Sequence, residues 1–550
     1  MRKTVVFLAF ALALVGMTVS VSQADEGMWP LFSLDQLNFE NLAARGLKLK
    51  AADIYNPDGT GLWAAVVSLG GGTGSFVSPN GLIITNHRVA FGSIQSQSTA
   101  ENNYIDKGFL ARTQADEIPA TGYNAWVCKS FDDVTKQVLG AVKSKATDLE
   151  RYKAVEKATK EIIAKAEKGK DVKCRVAAFD EGRQYILITF LPDCKCAEYS
   201  KDIVPYKSAI YLPVSAAQLK EGDFDMTIGY PGGTSRFETS FGIDEALNFS
   251  YPRSVATRKV LIDIMEKASA ENPEWSVRLS SRIKGLANYL KNFEAMITGL
   301  TRSHVVEQKV QLELKLADAL QQNPALQARY GHVLPDLKAL YEKHGKTRLK
   351  DEALGWLGQS SRYFGFANQL YRWSLQKAKK DMDRDPEFME RNVPSMRRGL
   401  KEAQVNLVPE VDKRMFTYVL HHAMALPADQ RIAALDKLVG DTTKVGTDKA
   451  IETLVERLYS NTKLGTLDDR MKMFEMSNKE LLAQNDAFIG LAASMYDDLE
   501  ARRQQGKEFD GAQRRLNPQM IAAFRELKLG PAYPDANGTM RLTYGSIKGF

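Results

Sequence analysis

Long apolar runs, dense basic runs, tandem repeats and low-complexity tracts are largely absent from this sequence. Beyond one apolar stretch at the N-terminus, no segment approaches the roughly 20 apolar residues that a membrane-spanning helix needs. The 74 Lys and Arg residues exceed the 67 Asp and Glu residues only modestly, and the excess is spread along the chain. We therefore expect no nucleic-acid partner and no membrane anchor. With 44% hydrophobic residues, the chain can form several globular domains.

Cysteine is also scarce, since the chain has only Cys128, Cys174, Cys194 and Cys196. In an exported protein an even number of cysteines suggests disulfides, here two, and all three connectivities stay open. A metal site is the alternative. The Cys194-x-Cys196 spacing is not the usual zinc spacing and no histidine lies nearby in sequence, so we expect no metal and no cofactor.

The N-terminus has the features of a signal peptide. Arg2 and Lys3 precede an uninterrupted apolar run over residues 5–16, and small residues lead up to Ala24. We expect residues 1–24 to be removed and the mature chain to be exported to the periplasm. A membrane anchor is the weaker alternative, because the apolar run is shorter than a bilayer-spanning helix.

The chain after this segment changes between β-rich and helical composition. Residues 25–250 predict a β-barrel region of short strands, with a hairpin at the Pro79-Asn80-Gly81 turn. Ala, Lys and Glu dominate near 132–170, which predicts a helical insertion that ends at Gly169. The predicted strands are residues 66–69, 75–78, 82–85, 185–190, 209–213 and 225–229.

Residues 251–530 have a helical pattern almost throughout, which predicts an α-helical domain. Residues 531–550 begin a returning β segment, with strand-like alternation over 539–544, and the sequence does not continue it. The chain is therefore predicted to be an α+β protein in the order β, helical, β. One stripe at helical spacing illustrates the helical pattern and consists of Leu286, Leu290, Phe293, Ile297 and Leu300.

The segment GSFVSPNGLIITNHRVAFGSIQ at residues 74–95 resembles the part of chymotrypsin-clan proteases that delivers the catalytic histidine after a β-hairpin. More closely, it resembles the bacterial dipeptidyl-peptidase family of types seven and eleven, which remove dipeptides from peptide N-termini. Further matching segments follow the same order along the chain: EGMW at 26–29, STAENNYIDKGF at 98–109, AEYSKDIVPYK at 197–207, GDFDMTIGYPGGTSRF at 222–237 and YPDANGTMRLTYG at 533–545.

This resemblance implies a chymotrypsin-like double β-barrel with a large inserted α-helical domain that caps the active site. Because the returning β segment is short, we expect the second barrel to be incomplete, with unpaired strand edges that favour aggregation. The resemblance also implies a serine, histidine and aspartate mechanism, no cofactor, and a homodimer.

The histidine motif of the family, Thr-Asn-His-His-Cys, corresponds to residues 85–89, and its second histidine is the base. Arg88 therefore occupies the base position, and a guanidinium has no acceptor nitrogen with which to take a proton. His87 is a weak substitute, since neighbours on an extended segment face opposite sides. Val89 and Gly72 occupy the positions of two cysteines that form a family disulfide, so both halves of that disulfide are missing together.

The aspartate and serine of the family are also missing from the sequence. Residues 191–196 directly connect two segments that flank the aspartate motif in the family, so the motif itself is missing. Asp223 or Asp225 could replace the aspartate, and this alternative stays open. The serine motif of the family falls beyond the segment that matches residues 533–545. Neither Ser75, a predicted strand residue, nor Ser546 matches it.

One functional position of the family has a counterpart in the helical domain. The family binds the free amino group of the substrate with an asparagine, and Asn288 matches it best, with Asn292 one turn later as the alternate. Both lie off the apolar stripe, and ordinary solvated asparagines are the alternative interpretation. The expected partners are accordingly oligopeptides or peptide N-termini.

Three hypotheses of function follow from the resemblance and its departures. The first is a member by descent of the exported serine-type dipeptidyl-peptidases that is hydrolytically inactive, because no triad residue is intact. The second is an active dipeptidyl-peptidase of which this sequence is an incomplete reading. The third is a non-enzymatic peptide-binding protein.

Overall fold

The computed structural model describes the chain in five stretches. The predicted signal peptide, Cys194, Cys196 and the junction at residues 192–196 lie outside the described residues. The described residues are 27–120, 123–180, 185–191, 204–530 and 533–548.

The β-strands of these stretches form two antiparallel sheets. One sheet has six strands in the order β4-β3-β2-β5-β7-β6, and the other has three in the order β1-β9-β8. The strands are β1 (Trp29–Pro30), β2 (Val66–Ser68), β3 (Thr73–Phe76), β4 (Ile83–Ile84), β5 (Trp126–Asp133), β6 (Lys173–Ala178), β7 (Tyr185–Leu191), β8 (Phe224–Gly229) and β9 (Arg541–Ser546).

The α-helices account for most of the remaining described residues. In chain order they are α1 (Phe39–Ala44), α2 (Ala51–Ile54), α3 (His87–Ser96), α4 (Tyr104–Lys107), α5 (Thr135–Gly140), α6 (Asp148–Glu167), α7 (Ser240–Glu245), α8 (Tyr251–Glu271), α9 (Pro273–Arg302), α10 (Val305–Gln321), α11 (Pro324–Tyr330), α12 (Val333–Gly345), α13 (Arg348–Ser360), α14 (Arg362–Gln376), α15 (Val393–Glu402), α16 (Pro409–Met424), α17 (Ala433–Val439), α18 (Thr447–Ser460), α19 (Leu467–Glu475), α20 (Asn478–Leu482), α21 (Ala487–Ser494) and α22 (Tyr496–Glu526). A π-helical turn (Ala246–Ser250) joins α7 to α8.

The mixed α and β composition is confirmed, and the helical block from residue 251 onward is present as predicted. The hairpin around residues 79–81 is also present, formed by β3 and β4. The insertion near 132–170 is two helices, α5 and α6, and α6 ends just before Gly169, whose φ is +67°. A left-handed glycine is a common helix terminator.

Two parts of the strand prediction are wrong. Strand β5 begins at Trp126 and runs into the segment predicted to be helical, because its pairing with β7 outweighs the local composition. Residues 209–213 do not form a strand. They cross the β3–β4 hairpin with isolated contacts, such as the bond from Leu212 N to Phe76 O at 2.8 Å.

The returning strand β9 is not an edge strand. It lies between β1 and β8, with Leu542 opposite both Trp29 and Ile228. The N-terminal strand supplies its second partner, so within the described residues the edges of this sheet are β1 and β8. The expectation of an incomplete second barrel with unpaired strand edges stays a prediction. The six-stranded sheet is open within the described residues, since no ladder joins β4 to β6.

Cys128 and Cys174 are free, buried thiols. Cys128 lies on β5 and Cys174 on β6, and β7 separates the two strands. Two strand spacings amount to about 9–10 Å, which exceeds the ~7 Å between Cα atoms that a disulfide spans. The expectation of two disulfides therefore fails for these two cysteines. Burial raises the pKa of both thiols, which makes them unreactive.

Candidate functional site

The β3–β4 hairpin leads directly into α3, the helix that carries the predicted base position. Thr85 Oγ1 donates to the Thr73 carbonyl at 2.7 Å, which fixes the end of the hairpin. Asn86 then caps the helix, since its Oδ1 accepts from Val89 N at 2.9 Å. Asparagine is among the preferred N-cap residues, so α3 begins at His87.

This start corrects the expectation that residues 87 and 88 lie on an extended segment. They form the first turn of a helix, where neighbouring side chains diverge by about 100° and not by 180°. The argument that His87 must face away from the base position is therefore wrong in its geometry. The sequence feature that favours a helix here is Asn86, an N-cap residue whose side chain accepts from the amide three residues later.

Helix α3 packs antiparallel to α9, with three contacts along its length. Arg88 Nη1 donates to Asn288 Oδ1 at 2.5 Å, and Lys284 Nζ lies 3.4 Å from the centre of the Phe91 ring. At the far end Gln95 Nε2 donates to the Val277 carbonyl at 2.8 Å. The three α3 positions have the i, i+3, i+7 spacing of one helix face. Arg88 is therefore on the face that meets the helical domain.

The Arg88 to Asn288 bond joins two positions that the sequence predicted separately. Both side chains are exposed, so the bond forms at the open edge of the α3–α9 contact. Asn288 lies on the solvent side of α9, as does Asn292, while the apolar stripe is half-buried as predicted. Within the described residues, no hydrogen bond joins Asn292 to Arg88, and the assignment of Asn288 to the family's asparagine stays a prediction.

The described contact of the His87 side chain is with an aromatic ring. Its ring makes an edge contact with Phe91, with centroids 5.7 Å apart. In the described part of the chain no carboxylate accepts a hydrogen bond from it. Asp223 Oδ2 instead accepts from Lys220 N at 2.8 Å, and Asp225 is an exposed residue of β8 in the other sheet. The residues considered for base and acid are thus not brought together.

Ser75 and Ser546 both lie in β-strands. Ser75 lies within β3, opposite Val66 on one side and Ile84 on the other, as predicted for a strand residue. Ser546 ends β9, and its Oγ accepts from Arg45 Nη2 at 3.2 Å. Neither serine contacts α3, so neither is placed beside the base position.

Gly72 and Val89 face each other next to this site. A Cβ added to Gly72 would lie 2.4 Å from Val89 Cγ2 and 3.6 Å from Val89 Cβ. The second distance is that of two disulfide-bonded cysteines, whose Cβ atoms are about 3.5–4.5 Å apart. The two positions assigned to a lost disulfide are therefore adjacent in space.

Tyr123 and Lys284 fix the first turns of α3 from two sides. The Tyr123 hydroxyl donates to the Val89 carbonyl, and burial raises the pKa of Tyr123, so it stays a neutral donor. Burial against the Phe91 ring lowers the pKa of Lys284, although Asp106 nearby opposes this effect. With Arg88, the site presents two cations, and no acidic side chain of the described stretches forms an ion pair with either one.

Phe91, Gln95 and Lys284 hold α3 against α9, and none of these contacts follows from an extended segment at residues 87 and 88. The signal was present in the i, i+3, i+7 spacing after the Asn86 cap. Within the described stretches, no group of three or more His, Cys, Asp or Glu side chains could hold a metal ion. No helix of these stretches is long and apolar enough to span a bilayer.

Known proteins resemble this chain over nearly its whole length. Residues 24–192 and 190–550 match the family described as Peptidase S46. The Asp/Glu-specific dipeptidyl-peptidase of Shewanella putrefaciens strain CN-32 is 28% identical over 581 residues, covering 97% of this chain and 78% of that protein. Dipeptidyl-peptidase 7 of Porphyromonas gingivalis is 28% identical over 592 residues, covering 96% and 79%.

Solved structures share the fold. The crystal structure of Porphyromonas endodontalis DPP11 in complex with the dipeptide Arg-Asp has a TM-score of 0.76 at 23% identity, covering 96% of this chain and 81% of that chain. The complex of the same protein with Arg-Glu has a TM-score of 0.75 at 24% identity, with the same coverage. The family match over the sequence and the shared fold agree, and this chain belongs to the peptidase S46 family.

Proposed function

We propose that this chain is a non-hydrolysing member of the peptidase S46 family that binds peptides by their N-terminus at Asn288. The observation that carries the proposal is the 2.5 Å bond between Arg88 and Asn288. The bond bears on both hydrolysis and peptide binding. Arg88 occupies the position of the family's base, and it contacts Asn288, which occupies the position of the amine-binding residue.

The loss of hydrolysis rests on Arg88. A serine nucleophile needs a neighbour that accepts its proton, and a guanidinium only donates. Removing the base of a triad costs on the order of 10⁶ in turnover. His87 contacts no carboxylate in the described residues that would orient it, so it does not restore the base. The catalytic aspartate is also missing, because residues 191–196 directly connect the two segments that flank the aspartate motif in the family.

Peptide binding is supported by the spacing of the two positions. A dipeptidyl-peptidase holds the amino group two residues from the bond that it cleaves, which is about 7 Å of extended chain. The side chain at position 88 reaches Asn288, so the two positions border one small site. The P. endodontalis protein is described in complex with Arg-Asp and with Arg-Glu, which supports a short peptide as the ligand class.

Arg88 also sets a condition on that binding. Its guanidinium takes one of the two lone pairs of Asn288 Oδ1, where the peptide ammonium would bind. A second cation about 4 Å away costs on the order of 4 kcal/mol at an effective dielectric constant of 20. We therefore infer that a peptide displaces Arg88 from Asn288, and that Arg88 weakens binding.

Hydrolysis is tested with the purified full chain and fluorogenic dipeptidyl substrates. We expect no turnover above buffer at any pH between 6 and 9. Restoring the imidazole with Arg88→His is expected not to recover turnover, because the aspartate motif is missing from the sequence. Turnover that a serine-directed inhibitor abolishes would overturn the proposal and favour an active peptidase.

Binding is tested by calorimetric titration with a tripeptide that has either a free or an acetylated N-terminus. We expect the free amine to bind more tightly, Asn288→Ala to remove that difference, and Arg88→Gln to increase affinity at least tenfold. Asn292→Ala is the matched control, since Asn292 is exposed one turn further along α9 and does not contact Arg88. Equal binding of both peptides, or an equal effect of the Asn292 variant, contradicts the assignment.

We further propose that the two sheets correspond to the two β-barrels that the sequence resemblance implies. The six-stranded sheet supplies the hairpin that leads to α3, and β8 and β9 come from the segments GDFDM and TMRLTY that match the family. A crystal structure of the protein tests this proposal. Sheets that stay open after the residues outside the described ranges are placed would contradict it.

We also propose that the chain is exported. The support is the sequence alone: two basic residues, an apolar run over 5–16 and small residues before Ala24. Fractionation of the native cells with mass spectrometry of the mature N-terminus tests the proposal. An intact N-terminus in the cytoplasmic fraction would contradict it.

A further inference from the structure

A cavity of about 500 Å³ lies in the helical region, between α8, α13 and the first half of α22. None of its lining residues belongs to α3 or to the face of α9 that meets α3. Its volume falls in the range of 300–1,000 Å³ that is typical of small-molecule sites. The π-helical turn (Ala246–Ser250) contributes Phe249 and Ser250 to the wall. Such turns often occur at functional sites.

Arg258 is the innermost cation of this cavity. Its side chain lies on α8 with only 8% of the residue exposed, and Nη1 donates to Ser254 Oγ. Nε is buried and has no acceptor, and in the described residues no carboxylate pairs with Arg258. Burial lowers the pKa of Arg258. A buried charge that lacks a counter-charge is unfavourable, and proteins usually satisfy it with a partner.

Aromatic rings surround Arg258 without supplying that partner. The guanidinium carbon lies 4.9 Å from the ring centre of Trp356, 5.2 Å from that of Phe293 and 5.3 Å from that of Tyr289. Rings stabilise a cation through its faces. They do not accept the N–H bonds in the plane of the guanidinium, and within the described residues only Ser254 accepts one of them.

Two more arginines line the same cavity without an acidic partner in the described stretches. The guanidinium of Arg348 lies 4.0 Å from the ring centre of Phe249. Arg502 lies against Gly355, where an added Cβ would be 3.2 Å from its Nη2. The glycine thus leaves room for this guanidinium. Three cations from three different helices, α8, α13 and α22, converge on one space.

The wall also has acidic side chains, and they differ in their partners. Glu352 is neutralised by Arg253, with Nε and Oε2 2.5 Å apart. Within the described residues, the Glu245 carboxylate accepts only from the Ser250 hydroxyl at 2.9 Å, and Asp351 only from the Thr347 hydroxyl at 2.7 Å. Among the same residues, the cavity therefore combines guanidinium groups that have no acidic partner with two carboxylates that no cation neutralises.

We propose that this cavity binds a small zwitterion, an amino acid or a dipeptide, with its carboxylate on Arg258. A guanidinium matches a carboxylate with two parallel hydrogen bonds, which an ammonium ion of lysine does not do. The ammonium group of the ligand lies toward Glu245 and Asp351. Those carboxylates disfavour a phosphate dianion, which has no positive end to place beside them. The site is separate from Asn288 and goes beyond the function proposed there.

The test is calorimetric titration of the full-length Asn288→Ala variant, in which recognition of the peptide amino group at α9 is removed. The probes are glycylglycine, glycylglycinamide, which lacks the carboxylate, and inorganic phosphate. We expect glycylglycine to bind, and the other two to bind at least tenfold more weakly. No binding of glycylglycine, or phosphate binding that equals it, overturns the proposal. Since Asn288 is absent from this variant, the result does not depend on the α9 site.

Variants assign the binding to Arg258. Arg258→Met is expected to weaken glycylglycine binding at least tenfold without lowering the melting temperature of the ligand-free chain. Arg470→Met is the matched control: Arg470 is fully buried over the Phe366 ring, but it donates to the Leu464 carbonyl and to Gln404, both at 2.6 Å. We expect that variant to melt at a lower temperature. Unchanged glycylglycine affinity in Arg258→Met overturns the proposal.

A third variant keeps the test decisive if Arg258→Met fails to fold. Arg502 is exposed at the edge of the cavity, so Arg502→Met leaves the fold intact. It is expected to weaken glycylglycine binding severalfold and to leave the melting temperature unchanged. Unaltered affinity in this variant, with Arg258→Met unfolded, counts against the site.

Discussion

The Cβ position of Gly72 lies 3.6 Å from Cβ of Val89, across the contact between the β2–β3 turn and the first turn of α3. These residues occupy the positions of two cysteines that the family resemblance pairs. The Val89 side chain fills the space beside the glycine, since its Cγ2 would lie 2.4 Å from an added Cβ. The Cβ separation is that of a disulfide, although neither residue is a cysteine.

The double variant Gly72→Cys/Val89→Cys is expected to form this disulfide on oxidation. The geometry suits the bond, and the closed loop is short, so we expect about 3 kcal/mol of stabilisation of the β region. The measurement is peptide mapping by mass spectrometry, with thermal melts under oxidising and reducing conditions. Val89→Cys alone is the control and should melt equally in both. Two free thiols in the oxidised double variant would show that the positions are not adjacent.

The sequence predicted the local parts of this fold and missed the distant contacts. The Pro79-Asn80-Gly81 turn and the helices after residue 251 follow from neighbouring residues, and both are present. The pairing of β1 with β9 joins Trp29 to Leu542, and no local pattern encodes a contact over that separation. The same holds for Arg88 and Asn288, which the family resemblance named but only the fold brings together. The helical start of α3 was not predicted, because His87 and Arg88 were expected on an extended segment, whereas Asn86 caps a helix that begins at His87.

Asp412 should be one of the most sensitive positions of the helical domain. This buried carboxylate on α16 accepts from the Ser361 hydroxyl at 2.7 Å and from the Tyr459 hydroxyl at 2.5 Å. Its charge also faces Arg282, with N and O 4.0 Å apart. Asp412→Ala leaves Arg282 buried without a counter-charge, so we expect a loss of about 3–5 kcal/mol in the free energy of unfolding.

Urea denaturation followed by circular dichroism measures this loss. Tyr459→Phe is the graded control, because it removes one hydrogen bond to Asp412 and keeps the charge. Its cost is expected to be about 1 kcal/mol. If the two variants are equally stable, the carboxylate does not hold this part of the domain together.

Gln95 is predicted to hold the far end of α3 against α9. It is 3% exposed, and its Nε2 lies within hydrogen-bond distance of the Val277 and Arg278 carbonyls and of Asn406 Oδ1. Gln95→Leu removes these hydrogen bonds from a buried contact, at a cost of about 1 kcal/mol for each bond lost. Hydrogen exchange of the α3 amides should accelerate in this variant. Ser96→Ala, which removes an exposed hydroxyl bonded only within α3, should leave the exchange rates unchanged.

Asp180 and Glu526 are expected to affect the pH dependence of stability with opposite signs. Burial raises the pKa of Asp180, although Arg514 beside it opposes the shift. A raised carboxyl pKa means that the folded state binds the proton more tightly than the unfolded state, so stability falls as pH rises through that pKa. The hydrogen bond from Tyr330 lowers the pKa of Glu526, so its contribution is present above the unfolded value of 4.5 and is lost as pH falls.

Asp180→Asn and Glu526→Gln replace each carboxyl by a neutral amide that does not titrate. Relative to the unaltered chain, Asp180→Asn should therefore gain stability between pH 3 and pH 7, whereas Glu526→Gln should lose it over the same interval. The measurement is the urea midpoint of each protein at several pH values, in which the two difference curves should slope in opposite directions. Parallel curves would mean that the burial of Asp180 does not penalise its charge, and that Arg514 compensates the desolvation of this carboxylate.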